Sequence, residues 1–153
     1  MIYLSKKAGK IGVLAVFSVF LVTLCILISC ERRELIPPCA SNDETGEVFT
    51  EVSDDKATAE FLMQFGLIAD GKPVVKDRVT IPEVFPDYYE EYNKIQKKTG
   101  FDLSMFKGAE VNRVVFRRRN SSDLITLLIY KGHVIGGHLC SGEYGEKNRA
   151  LID

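Results

Sequence analysis

The chain has 153 residues, of which 46% are apolar, 27% charged and 10% aromatic, and it contains no tryptophan. Twenty basic residues stand against 21 acidic ones. That balance excludes a collagen-like fibre, a disordered acidic tail and a general polyanion binder, so no nucleic-acid partner is expected, and the length suits one small domain.

The charge is unevenly placed. Lys6, Lys7 and Lys10 precede Ile11 to Ser29, a run without a charged residue, and residues 1–30 contain no acid. As a helix this run spans about 28 Å, close to the hydrocarbon thickness of a bilayer. Lysines on the near side stay in the cytoplasm, and Arg32 and Arg33 beyond the run only weaken that bias, so everything after residue 30 is expected outside the cell. Leu27-Ile28-Ser29-Cys30 resembles the bacterial lipobox, which implies diacylation of Cys30 and cleavage before it. The alternative is an uncleaved signal anchor, for which the run is long enough. Both leave a domain tethered to the outer face of a membrane.

Residues 31–52 carry Pro37-Pro38, several acids and no sustained period of 2 or 3.6, the pattern of a flexible linker. Cys25 lies in the apolar run, so Cys39 and Cys140 remain for an exported disulfide; the alternative is two free thiols.

The domain is expected over residues 53–145. Ser53 is a candidate N-cap for a helix from Asp54 to Phe65, with Ala57, Phe61, Leu62 and Phe65 on one stripe. Gly66 stops it, and Leu67 falls where a Schellman ending places an apolar residue. After a turn at Asp70-Gly71, Val75, Val79 and Ile81 share one face of a strand that Pro82 ends. Pro86 opens a second helix with Phe85, Tyr89, Tyr92 and Ile95 at helical spacing and a Glu90–Lys94 pair, which Gly100 stops, with Phe101 beyond it. Leu103, Met105 and Phe106 form an apolar loop. Strands at 109–118, 124–130 and 133–140, joined by short links, make an antiparallel meander. The fold class is therefore α+β, with two helices packed on one face of the sheet in the order α-β-α-β-β-β, preceded by the transmembrane or signal helix. Residues 146–153 read as a polar tail.

"FLMQFGLI", "VTIPEVFPDYYEEYNKIQKKTGFDLSMFKG" and "LLIYKGHVIGGHLCS" resemble a small bacterial family of membrane-tethered extracytoplasmic proteins built on domain of unknown function 4830. The resemblance spans residues 58–141 and implies placement and fold. It implies no activity, cofactor or catalytic residue. The family pattern has an acid after the double glycine, where this chain has His138.

Few residues carry a chemical signature. Gly66 to Lys72 has the spacing of a phosphate-binding loop, but Pro73 replaces the hydroxyl residue and removes a backbone donor, so a helix stop and a turn are expected. His138 and Cys140 are two apart on a strand and share a face, the minimum for an imidazole-activated thiol, yet with His133 and Cys39 they do not make a zinc pattern, and no metal or cofactor is expected. Gly136-Gly137 inside a strand implies a bulge, a close crossing by the second helix, or the approach of a ligand backbone. Arg113, Arg117, Arg118 and Arg119 concentrate cations at one strand end, as a charged edge or a contact to anionic lipid.

The expected function is a non-enzymatic binding or interaction module of the bacterial envelope, with Tyr89, Tyr92, Gly136, Gly137 and His138 as its binding surface for a small ligand or an envelope protein. The alternatives are an envelope enzyme using Cys140 and His138, and a regulatory or structural partner of another membrane protein.

Overall fold

The computed structural model describes residues 39–42, 46–141 and 145–152, the side chains of Cys39 and Asn42 excepted. The apolar leader, Cys30 and the first part of the linker lie outside these residues. No helix among the described residues is long and apolar enough to cross a membrane.

The described fold is α+β. In chain order it comprises β1 (Cys39–Asn42), β2 (Gly46–Phe49), α1 (Asp55–Met63), β3 (Val75–Thr80), α2 (Asp87–Lys97), a 3-10 turn (Leu103–Phe106), β4 (Glu110–Arg117), β5 (Leu124–Tyr130) and β6 (His133–Cys140). β3 to β6 form the antiparallel meander in sequence order, and β1 pairs with β2 in a separate two-stranded sheet.

Local chemistry sets the helix limits. Asp54, not Ser53, caps α1: its Oδ1 accepts from the Ala57 backbone N–H at 2.7 Å. A carboxylate is the better acceptor at the positive helix end. Both helices end in Schellman geometry. Leu67 N–H reaches Leu62 C=O at 3.0 Å and Gly66 N–H reaches Met63 C=O at 3.0 Å; Phe101 N–H reaches Gln96 C=O at 3.1 Å and Gly100 N–H reaches Lys97 C=O at 3.2 Å. Leu67 and Phe101 are buried, as apolar residues in that position should be. On α2, Lys94 pairs with Glu91 instead of Glu90. The hairpin link Lys131-Gly132 has positive φ at both residues, 49° and 83°, the requirement of a type I′ turn.

The helices do not share a face of the sheet. α1, β1 and β2 cover one side, where Phe61, Leu62, Leu67, Val48 and Val52 meet Val114, Phe116, Ile125, Leu127 and Leu139. α2 and the 3-10 turn cover the other, where Phe85, Tyr89, Tyr92, Leu103 and Phe106 meet Val79, Val111, Leu128 and Ile135. β5 alternates its side chains between these two cores, which is why it is apolar along nearly its whole length.

Two further expectations are corrected. Residues 39–52 are not a solvated linker: Ala40, Val48, Thr50 and Val52 are buried. Val52 N–H donates to Gly132 C=O at 2.7 Å and Val134 N–H to Thr50 C=O at 2.8 Å, so this stretch closes one end of the outer edge of β6. Nor is the C-terminal stretch a mere polar tail. Leu139 and Arg149 exchange backbone hydrogen bonds at 3.0 and 2.9 Å, and Leu151 is fully buried. Arg149 and Arg118 both bind the buried carboxylate of Asp123, at 2.9 and 3.2 Å. Burial opposes that charge, yet hydrogen bonds from Arg149, Ser121 and Arg118 hold the carboxyl below its ordinary range.

Candidate functional site

The double glycine of β6 is occupied by the protein itself. A Cβ on Gly136 would stand 2.9 Å from Gln96 Oε1 and 3.1 Å from Leu103 Cδ2, and one on Gly137 would stand 2.9 Å from both Leu151 Cδ1 and the Thr126 carbonyl oxygen. Gln96 Oε1 accepts the Gly137 N–H at 2.7 Å. Next to the pair the register slips between Leu128 and Ile129, leaving Ile135 as the extra residue of a bulge. The glycines thus serve both a bulge and the close crossing of α2, and they leave no room for a ligand backbone. Gln96 and its neighbour Asn93 are the buried residues of α2. Asn93 accepts from Leu103 N–H at 2.8 Å and donates to Asp102 at 2.9 Å. Sequence reading missed both because buried amides carry no apolar signal.

Beyond the glycines lies a polar cluster. His138 stands opposite Thr126 in the ladder, and its Nδ1 is 2.8 Å from the Tyr92 hydroxyl, with the rings edge-on at 5.3 Å. Burial, then the nearby Arg113 charge, push the imidazole down to about 4. Burial also raises the Tyr92 phenol well above its usual value. Both are therefore neutral at pH 7, and the hydroxyl and Nδ1 share one hydrogen bond. Tyr89 packs edge-on against Tyr92 at 5.5 Å and is itself half-buried. Arg113, opposite Asp77 in the ladder, grips that carboxylate through Nε at 2.9 Å and through Nη2. This pairing explains why an acid interrupts the apolar face of β3.

Cys140 is a free, half-buried thiol. It lies two residues along the strand from His138, on the same face, and the imidazole Nδ1 there is already engaged by the Tyr92 hydroxyl. The Cys39 side chain and Cys30 lie outside the described residues. His133 contacts Thr50 Oγ1 at 3.2 Å. No group of three or more potential metal ligands occurs among the described residues.

The open concavity lies on the opposite side of the sheet. A groove of about 390 Å³ runs between α1 and the segment 67–73, floored by Leu62, Leu67 and Phe116 and lined by Ala59, Met63 and Ile68. A second hollow of about 300 Å³ shares Asp55, Thr58, Pro73 and Phe116 with it and carries it on towards Val52 and Gly132. Met63 and Ile68 are 60% and 50% exposed, so the apolar wall reaches solvent. Lys72 and Arg119 stand on the wall facing α1, and Asp55 at the start of the helix. The residues that mimic a phosphate loop form part of this wall, but β3 follows them where a phosphate loop needs a helix. Sequence reading did not find the groove, which exists only where an exposed helix face meets a strand-edge segment across the sheet.

Comparison with protein-family models, with curated proteins and with solved structures returns no match.

Proposed function

We propose that the chain is a non-catalytic binding module tethered to the outer face of a bacterial membrane, of the kind its motifs resemble, and that its recognition site is the groove beside α1. The observation that carries the reading is the contrast between the two sides of the sheet. The α2 side of the double glycine is filled by the protein's own Gln96 and Leu103, whereas the α1 side keeps an apolar groove open to solvent, the usual form of a small-ligand site. Lys6 to Ser29 supports the tether by its length and flanking charge.

The test uses the full chain in membranes from overproducing bacteria. External protease on intact spheroplasts should remove the folded domain, and an uncharged long-chain alcohol bearing a diazirine should form adducts at Ala59, Met63 or Ile68. Ala59→Trp and Ile68→Trp, both at exposed positions, should abolish those adducts without moving the unfolding midpoint. A domain protected inside the cell, or groove residues that take up no label, would overturn the reading.

A further inference from the structure

We infer that the ligand of this groove is a single-chain amphiphile with an anionic head, a fatty-acid-like carboxylate; the inference rests on the binding reading above and names its ligand class. Three observations carry it. The first is the wall chemistry. Leu62, Leu67 and Phe116 offer no polar atom on their side chains, and the nine-residue α1 provides about 13 Å of wall, a shape that accepts an extended hydrocarbon.

The second favours a hydrocarbon over a peptide. An extended peptide needs backbone partners for its own N–H and C=O groups. On the wall opposite α1 the Ile68 C=O and the Asp70 and Val74 N–H groups are already engaged: Arg119 N–H donates to Ile68 C=O at 2.8 Å, Asp70 N–H to Arg117 C=O at 2.7 Å and Val74 N–H to Val115 C=O at 2.8 Å. α1 uses its own groups internally. A hydrocarbon chain needs no such partners.

The third is charge. Lys72 and Arg119 both line the groove, and neither is among the residues that form ion pairs with other described residues. Every other arginine of the β4 region that faces an acid is used: Arg113 binds Asp77 and Arg118 binds Asp123. Asp55 is the one acid lining this groove and makes no ion pair with Lys72. Two unspent cations beside an apolar slot complement a carboxylate head.

The experiment compares a diazirine fatty acid with its matching diazirine alcohol on the full chain in native membranes, with adducts mapped to residues by mass spectrometry. This mapping separates the groove from residues 11–29, which any membrane probe would label. The acid should label Ala59, Met63 or Ile68 about five-fold more than the alcohol, the effect of roughly 1 kcal/mol from one exposed charge pair. Lys72→Glu or Arg119→Glu should remove that preference while leaving alcohol labelling intact, and the more sensitive of the two locates the head. Equal labelling by acid and alcohol, or a preference that survives both reversals, overturns the anionic head and leaves the binding groove standing. Absence of both labels overturns the inference together with the binding reading. Labelling by the acid that falls as protein concentration rises would show a second copy seated in the groove and would also overturn it.

Discussion

At the scale of single residues, buried polar groups decide more than the apolar stripes do. His138 illustrates the sign of its effect. Its folded-state value is about 4, below the roughly 6.5 of a free imidazole, so between those limits the unfolded chain binds the extra proton and stability falls as the pH drops from 6.5 to 4. The loss amounts to up to about 3 kcal/mol. His138→Gln, which keeps an acceptor for Tyr92, should flatten that part of a plot of urea midpoint against pH. The further loss below pH 4 should remain, because the carboxyls of Asp102 and Asp123 are both held below their ordinary range in the folded state. Glycines offer a second contrast. At Gly100, with φ of 82°, a Cβ would meet the Ser41 backbone at 2.8–2.9 Å, whereas at Gly71, with φ of 75°, it would meet nothing within 4 Å. Gly71→Ala should cost about 1 kcal/mol, the strain of the left-handed conformation, and Gly100→Ala clearly more, about 3 kcal/mol, because the first strand must also move. Denaturant unfolding of the two variants side by side measures the difference.

At the scale of elements, legibility tracks how local the determining interaction is. The endings of α1 and α2 were legible because a Schellman turn is made by six consecutive residues, Leu62 to Leu67 and Gln96 to Phe101. The meander was legible from its turn residues. The first hairpin was not: four-residue strands with, among the described side chains, one buried position apiece at Ala40 and Val48 show no period long enough to read. The C-terminal bridge was hidden for the same reason, since its fully buried anchor is one residue, Leu151, between half-buried Ala150 and Ile152. Leu151→Ala should destabilise the fold by about 2–4 kcal/mol, as truncation of a fully buried leucine does. A frayed tail would show no change in the same unfolding measurement.

At the scale of the whole molecule, the position of the first strand shortens the stretch of sequence expected to be a linker. With β1 starting at Cys39, eight residues, 31–38, separate it from Cys30. The same strand placement sets where the folding unit begins. A chain starting at residue 53 would lose Ala40, Val48, Thr50 and Val52 from the core and leave the Gly132 carbonyl and Val134 amide without their partners. Compared with a chain starting at residue 37, it should unfold at a lower urea concentration or fail to give a dispersed amide spectrum; equal stability would return residues 37–52 to the status of a linker.

By itself the sequence determined the elements and their order from α1 onward, because caps, turns and periodicity act within a few residues, and it carried the charge and length pattern on which the proposed tether rests. Tertiary structure decided which face each helix covers, since the continuous apolar run of β5 requires a cover on both sides but does not say which helix supplies each. It decided the fate of Gly136-Gly137, because only the path of α2 shows that Gln96 fills the space a ligand would need. It also decided where the proposed ligand site lies: the groove joins α1 to the segment that bridges to the end of β4, and its two cations come from residues 47 apart in the chain, Lys72 and Arg119, whose meeting no local pattern specifies.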